Sequence, residues 1–206
     1  INIGLIGFGT IGSSVAKFLI ERRDLLLKRA GMDFNLKLVC DKDLVSKRGV
    51  NIPKAMLTKD ADRVINDPDI HIIVELIGGI HPAKEIVMRA LSKGKHVVTA
   101  NKLLLASEGG EIFKKAKNVN REIYFEASVA GGIPIIKAIR EGMVGNRFSG
   151  IFGILNGTSN YILSSMSNHG SSFKAALKEA QSRGYAEKDP SLDIKGLDSS
   201  HKLAIL

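Results

Sequence analysis

Two charged residues near the end of the sequence have the spacing of an acid–base pair. Asp198 and Lys202 lie in a segment, residues 197–206, whose apolar spacing predicts a helix, and four residues separate them. This spacing puts both side chains on one helix face. A surface ion pair of this kind contributes only ~0.3–0.5 kcal/mol. The alternative is that Asp198 orients Lys202 towards the carbonyl group of a substrate. The two residues alone leave both interpretations open.

A second candidate for chemistry is the glycine spacing in the opening sequence, INIGLIGFGTIG. Gly7, Gly9 and Gly12 match the G-x-G-x-x-G pattern of a dinucleotide-binding turn, between an apolar strand and a helical pattern. In such a turn the first glycine permits the tight bend, the second lets a pyrophosphate approach, and the third allows close helix–strand packing. The pyrophosphate would lie on the N–H groups of a helix that begins near Thr10. The predicted cofactor-binding residues of the turn are Gly7, Phe8, Gly9, Thr10, Ile11 and Gly12.

The end of the second predicted strand, LKLVC, should meet the adenosine ribose of the cofactor. An acid at this point binds the 2′-hydroxyl of NAD, whereas a base accommodates the 2′-phosphate of NADP. The charged residues that follow are Asp41, Lys42, Asp43, Lys47 and Arg48. Lys42 with Lys47 or Arg48 would supply two cations, which favours NADP and leaves use of NAD open. For Lys47 and Arg48 a solvated charged loop is the alternative.

Glycines and polar residues also follow the next two predicted strands. Gly78 and Gly79 end the apolar run IHIIVELI, and Thr99, Asn101 and Lys102 come at the end of KHVVT and just after it. The carboxyl edge of a parallel sheet is where ligands bind. These residues would offer a hydroxyl, an amide and an ammonium group beside the nicotinamide. We therefore assign Gly78, Thr99 and Lys102 to the cofactor site, although Lys102 could also extend into solvent without a role.

The elements that must position these residues alternate along the chain. Strands are predicted over 1–6, 36–40, 70–77, 95–99 and 122–126, and helices over 14–30, 60–67, 81–93 and 108–119. This alternation predicts an α/β fold with a right-handed, doubly wound parallel sheet of the Rossmann type over residues 1–133. The irregular segment 127–136 is the predicted hinge into a second domain, 134–206. That domain should begin with a helix from 135 and a strand over 148–155.

Composition excludes several classes of protein. With 206 residues, 44% hydrophobic and 25% charged, the chain can form a sizeable globular core. No apolar run approaches the ~18–20 residues of a membrane span, and an opening strand predicts no signal peptide. The single cysteine, Cys40, excludes an internal disulfide and suits the cytoplasm. The net charge of +9 is scattered along helices without interleaved aromatic residues, which favours anionic small molecules over nucleic acid.

Taken together, several segments resemble homoserine dehydrogenases. They are the glycine fingerprint, TANK at Thr99–Lys102, EASVAGGIPII at Glu126–Ile136, GILNGTSNYIL at Gly153–Leu163 and GYAEKDPSLDIKGLDSSHK at Gly184–Lys202. Their order and spacing match the family across the whole chain. The resemblance implies an NAD(P)-dependent oxidoreductase that interconverts L-homoserine and L-aspartate 4-semialdehyde in threonine, methionine and isoleucine biosynthesis. It also implies that the second domain belongs to an α+β substrate and dimerisation domain.

The resemblance assigns roles to the chemical residues. Hydride moves between C4 of the nicotinamide and C4 of homoserine, and the developing alkoxide needs a proton donor within hydrogen-bond reach. This catalytic role falls on Lys202, oriented by Asp198, with Lys102 as a second contact to the reacting oxygen. The substrate-binding residues implied are Glu187 and Asp193 for the ammonium group, with Asn156, Gly157 and Thr158 on the opposite wall. For the last three, capping of a strand-to-helix turn is the alternative.

The family also holds a monovalent cation, such as sodium, near EASVAGG. By position its ligands in this sequence would be Glu126 and the carbonyl groups of Val129, Gly131 and Ile133. The family's pattern continues beyond Leu206. We therefore expect these residues to be part of a longer enzyme, a homodimer or higher homo-oligomer, and to have little activity alone.

Two rival functions share the nucleotide fold. A phosphorylating semialdehyde dehydrogenase needs a cysteine nucleophile in the catalytic crevice, whereas Cys40 would lie at the adenosine end of the second strand. A non-enzymatic NADP-binding sensor would keep the glycine turn and lose the acid–base lysines. Because Lys102 and Lys202 are both present, the enzyme is favoured over the sensor.

Overall fold

A computed structural model describes residues 1–206 of the chain. The chain divides into two compact units, Ile1–Gly132 and Ile133–Leu206. None of its helices combines the length and the apolar character that crossing a membrane requires.

The first unit is built on a six-stranded sheet. Its strands are Asn2–Ile6 (β1), Asn35–Cys40 (β2), Leu57–Thr58 (β3), Ile72–Glu75 (β4), His96–Thr99 (β5) and Ile123–Tyr124 (β6). Their order is β3-β2-β1-β4-β5-β6, and every neighbouring pair is parallel. The chain therefore winds outwards from β1 in both directions, and the glycine turn follows β1 at the point where the winding reverses. The predicted doubly wound Rossmann-type fold is confirmed.

Helices connect the strands. They are Thr10–Glu21 (α1), Arg23–Ala30 (α2), Ala61–Ile65 (α3), Ala83–Ser92 (α4) and Lys102–Asn118 (α5). Leu5, Val39, Ile73 and Val97, one from each of the four central strands, are fully buried. In β1 and β4 every residue after the first is buried, which explains why these two strands read as apolar runs rather than alternating patterns.

The structure corrects three helix predictions. The single helix expected over 14–30 is two helices, because Arg22 leaves the helical conformation (φ −112°, ψ 19°), a break that no glycine or proline marks. The helix predicted over 60–67 is the shorter α3, which ends at Ile65, and its last two residues, Val64 and Ile65, are fully buried. The helix expected to begin at 108 begins at Lys102, because the side chain of Asn101 accepts a hydrogen bond from Leu104 N (3.1 Å) and caps it.

The second unit contains helices only. They are Ile135–Lys137 (α6), which continues as a π-helical turn over Ala138–Gly142, Gly157–His169 (α7), Phe173–Ser182 (α8), Ser191–Ile194 (α9) and Leu197–Ile205 (α10). Helices α7 and α8 pack through Ile162, Ala176 and Ala180. The strand predicted over 148–155 is wrong for this chain: no segment of residues 133–206 forms a strand that could pair with it, and Phe152 is 98% exposed.

Candidate functional site

The glycine turn has the steric properties that its spacing predicts. Gly7 has φ +99°, and a side chain on it would come within 2.5 Å of the backbone of Leu76. A Cβ on Gly12 would lie 1.9 Å from the Gly7 carbonyl oxygen, so only glycine lets α1 pack here. A Cβ on Gly9 would meet nothing within 4 Å, which leaves that side of the turn open. Since the first N–H groups of a helix have no intrahelical partners, the turn fits a pyrophosphate.

Asp41 and Arg48, which follow β2, contact the glycine turn in different ways. Asp41 accepts hydrogen bonds from Phe8 N (2.5 Å) and Asp43 N (2.8 Å), so its carboxylate is tied to backbone. The Arg48 guanidinium lies 5.7 Å from the Phe8 ring centre and 3.0 Å from the Asp43 carboxylate. Hydrogen bonds from Ser46, chief among several, lower the pKa of Asp43 to about 2.

These contacts distinguish Arg48 from Lys47, although the sequence analysis gave the same alternative, a solvated charged loop, for both residues. Arg48 packs against the glycine turn and is mostly buried, so the solvated-loop interpretation is wrong for it. Lys42 and Lys47 are exposed on the same loop. The arginine–aromatic contact carries no sequence signal, because Phe8 and Arg48 lie far apart in the sequence and only the fold brings them together.

Thr99, the last residue of β5, and Asn101, which follows the strand, are buried and hydrogen-bonded within the first unit. The Thr99 hydroxyl donates to Glu75 Oε2 (2.7 Å), and Asn101 Nδ2 donates to the Gly79 carbonyl (2.7 Å). Glu75 is fully buried at the end of β4. Sequence reasoning missed it, because its position inside the apolar run IHIIVELI gave no reason to single it out. Lys102 begins α5 and is partly exposed.

The Asp198–Lys202 pair is confirmed as an i, i+4 contact on α10. Lys202 Nζ lies 2.6 Å from Asp198 Oδ2 and donates to the Leu155 carbonyl at 2.6 Å. The two side chains are only 12% (Asp198) and 21% (Lys202) exposed. The interpretation as an ordinary surface ion pair is therefore wrong. Two of the three ammonium hydrogens of Lys202 are engaged in these bonds.

Residues expected on opposite walls of the substrate site form one cluster instead. Asn156 Nδ2 donates to Asp193 Oδ1 (2.7 Å) and to Asp198 Oδ2 (2.9 Å), while its Oδ1 caps α7 through Ser159 N (2.8 Å). The Thr158 hydroxyl lies 2.9 Å from Asp193 Oδ2. Asn156 is thus both a cap and a link to the acid–base pair. Gly157, the first residue of α7, is exposed.

Glu187, the other predicted ligand of the substrate ammonium group, is not part of this cluster. Glu187 is exposed on the loop before α9, and only its backbone carbonyl is held, by Gln181 Nε2 (3.1 Å). Asp193 is already engaged by Asn156 and Thr158, so of the two predicted ammonium ligands only Glu187 has an exposed carboxylate.

The predicted cation ligands fall at the end of the first unit and the start of the second. Glu126 begins a 3₁₀ turn, Val129 is buried, and Gly131 has φ +59°. The Ile133 carbonyl accepts a hydrogen bond from Ile135 N (2.8 Å). No group of three His, Cys, Asp or Glu residues in the chain could hold a metal ion.

Two other features were candidates for a functional site: the Cys40 thiol and a large cavity in the first unit. Burial, with the nearby Asp41 charge, raises the pKa of the Cys40 thiol to about 11, which makes it a poor nucleophile. A cavity of about 680 Å³ lies at the amino ends of β1, β4 and β5, the sheet edge opposite the glycine turn. In the second unit, a cavity of about 320 Å³ between Leu155, Asn156 and Leu203 borders the acid–base cluster.

Comparisons with known proteins agree on one family. The model of the homoserine dehydrogenase NAD-binding domain matches residues 7–126, and the homoserine dehydrogenase model matches residues 134–206. The chain is 46% identical to the Bacillus subtilis homoserine dehydrogenase and 48% identical to that of Neisseria gonorrhoeae, over all of its length. It covers 48% and 47% of those proteins, so it spans about half the length of the curated relatives it matches.

Solved structures give the same result. A homoserine dehydrogenase from Thiobacillus denitrificans superposes with a TM-score of 0.85 and 47% identity, over 98% of this chain and 47% of that one. A hyperthermophilic archaeal homoserine dehydrogenase in complex with NADPH gives 0.82 and 29% identity, over 100% of this chain and 68% of that one. The glycine turn, the parallel sheet and the acid–base cluster thus occur in a chain that belongs to the homoserine dehydrogenase family.

Proposed function

We propose that the protein carrying this chain is a homoserine dehydrogenase that interconverts L-homoserine and L-aspartate 4-semialdehyde. The observation that carries this proposal is the anchored Lys202, whose ammonium is fixed by Asp198 and the Leu155 carbonyl. When bound, the nicotinamide cofactor supplies or accepts the hydride. We assign Ile1–Gly132 to cofactor binding and Ile133–Leu206 to the substrate domain.

The chain's own residues handle the proton and the orientation of the substrate. Lys202 donates its proton to the alkoxide oxygen as the aldehyde is reduced, and takes it back in the oxidation. Asp198 and the Leu155 carbonyl hold the lysine in one orientation, which removes the entropy cost of positioning a long side chain. The exposed Glu187 carboxylate is the proposed contact for the substrate ammonium group. Lys102 stays a predicted second contact with the reacting oxygen.

A direct assay of the complete protein tests the function. Incubation with L-homoserine and NADP⁺ should produce NADPH, followed by its absorbance, and the reverse reaction should consume NADPH with the semialdehyde. A sensor would bind NADP⁺ with no turnover of either substrate. Family membership and the anchored Lys202 favour the enzyme over the sensor.

Cofactor choice is a further proposal. Because Asp41 is tied to the glycine turn, its carboxylate is poorly placed to take the ribose 2′-hydroxyl of NAD. The exposed Lys42, together with the mostly buried Arg48 on the same loop, favours a 2′-phosphate. Lys42→Ala should weaken NADP⁺ binding by about tenfold and leave NAD⁺ binding unchanged, since one charge-assisted hydrogen bond is lost. Fluorescence titration with both cofactors measures this. Equal weakening of both would show that Lys42 does not contact the phosphate.

Assembly, location and the cation are also proposals. We propose a homodimer or higher homo-oligomer, a cytoplasmic location, and small-molecule ligands only, without nucleic acid. The monovalent cation near Glu126 rests on the resemblance alone.

A further inference from the structure

Glu75 is a fully buried carboxylate that the proposed chemistry does not use. It ends β4 at the carboxyl edge of the sheet, the edge that also bears the glycine turn. Its Oε1 accepts hydrogen bonds from Ile77 N (2.8 Å) and Gly78 N (3.4 Å). Its Oε2 accepts from the Thr99 hydroxyl (2.7 Å) at the end of β5. One side chain therefore joins the loop after β4 to the neighbouring strand.

The Thr99 hydroxyl extends this connection to α5. Asn101 N donates to Thr99 Oγ1 (3.0 Å), so the hydroxyl hydrogen is directed to Glu75. Asn101 in turn donates through Nδ2 to the Gly79 carbonyl (2.7 Å) and caps α5. The bonds form a closed circuit through the loop after β4 (residues 77–79, the glycine loop), the end of β5 and the first turn of α5, whose first residue is Lys102.

Stability alone does not explain why this buried position carries a carboxylate. Burial of a carboxyl group is costly even when it is hydrogen-bonded, and the donors to Glu75 are two backbone amides and a hydroxyl rather than a cation. An apolar residue at this position would continue the buried strand without that cost. What the carboxylate adds is a defined orientation for two backbone amides and one hydroxyl at the ligand-binding edge of the sheet.

We propose that Glu75 is a positioning residue for the nicotinamide end of the cofactor site. Through Gly78 it sets the backbone of the glycine loop, and through Thr99 and Asn101 it sets the start of α5 and hence the position of Lys102. This inference rests on the proposed function, because it assumes that the carboxyl edge of β4 and β5 receives the nicotinamide.

Two variants of the complete protein separate positioning from stability. Glu75→Gln keeps an oxygen for the loop amides and replaces the acceptor for Thr99 with an NH₂ group. Thr99→Val removes the hydroxyl and keeps the shape. Binding is measured by titration with NADP⁺ and with 2′-phospho-ADP-ribose, which lacks the nicotinamide. Both variants should weaken NADP⁺ by about tenfold and leave 2′-phospho-ADP-ribose unchanged. The kcat for homoserine should fall by about ten- to a hundredfold.

The chain offers matched controls. Thr58, at the end of β3, is also buried, and its hydroxyl accepts from Asp60 N (3.1 Å) as that of Thr99 accepts from Asn101 N, but it forms no hydrogen bond with a carboxylate. Thr58→Val should therefore change neither affinity. Thr99→Ser keeps the hydroxyl and should restore NADP⁺ binding to within about twofold of the wild type.

Each outcome decides the proposal. Equal loss of both ligands, or unchanged NADP⁺ binding and kcat with only a lower melting temperature, would show that Glu75 is merely structural. If the wild-type protein binds NADP⁺ but oxidises no homoserine, the proposed function fails while the affinity ratio still tests Glu75. If the wild-type protein binds no NADP⁺, both are overturned.

Discussion

Replacement of Lys202 by alanine should lower the kcat for homoserine oxidation by about 10²–10⁴-fold, the usual cost of losing a general acid–base group. Lys202 Nζ is held by Asp198 and the Leu155 carbonyl, so its loss removes a preoriented donor rather than a flexible surface charge. A donor that acts where charge develops contributes mainly to the transition state. The KM for homoserine and the affinity for NADP⁺, measured separately, should hardly change.

Two further variants identify the role of Lys202. Lys202→Arg should not restore activity, because arginine stays protonated and cannot exchange a proton near neutral pH. Glu187→Gln should mainly raise the KM for homoserine, since it weakens the proposed contact with the ammonium group. Near-normal kcat in Lys202→Ala would mean that the proton passes through Lys102 or water, and that the buried pair on α10 is structural.

Gly12→Ala should destabilise the first unit by about 3 kcal/mol, at the upper end of the usual cost of overpacking. The added Cβ would lie 1.9 Å from the Gly7 carbonyl oxygen, a backbone atom that can move only by opening the turn. For a chain of this size the midpoint of thermal unfolding should fall by about 6–12 °C. NADP⁺ binding should fall as well, because the same turn receives the pyrophosphate.

Gly9→Ala is the matched control for Gly12→Ala. Its Cβ would meet nothing within 4 Å, so the melting temperature should remain within about 2 °C of the wild type. NADP⁺ binding should nevertheless weaken by about tenfold or more, because the methyl group would occupy the side on which the cofactor approaches. A normal melting temperature for Gly12→Ala, or normal NADP⁺ affinity for Gly9→Ala, would contradict these steric assignments.

Local sequence patterns predicted much of the first unit and the contact within the acid–base pair. Short apolar segments predicted β1, β2, β4 and β5, and the runs of β1 and β4 are continuous because strands buried on both faces need no alternation. The glycine spacing predicted both the close approach at Gly12 and the tight bend at Gly7, where the structure has φ +99°. The contact between Asp198 and Lys202 was predictable, because residues four apart on a helix always share a face.

Burial and long-range partners were decided only by the tertiary structure. The sequence by itself determined that Lys202 could pair with Asp198. Leu155 is 47 positions away in the sequence, and no local pattern indicated that its carbonyl would hold Lys202. Asn156 looked like a helix cap and is also the link to Asp193 and Asp198. Residues 148–155 have a strand-like composition but form no strand, since a strand needs a neighbour to accept its hydrogen bonds. The role of Glu75 was also not predictable from its position in an apolar run. Its partner, the Thr99 hydroxyl, lies on another strand, and only the register of β4 and β5 brings the two side chains together.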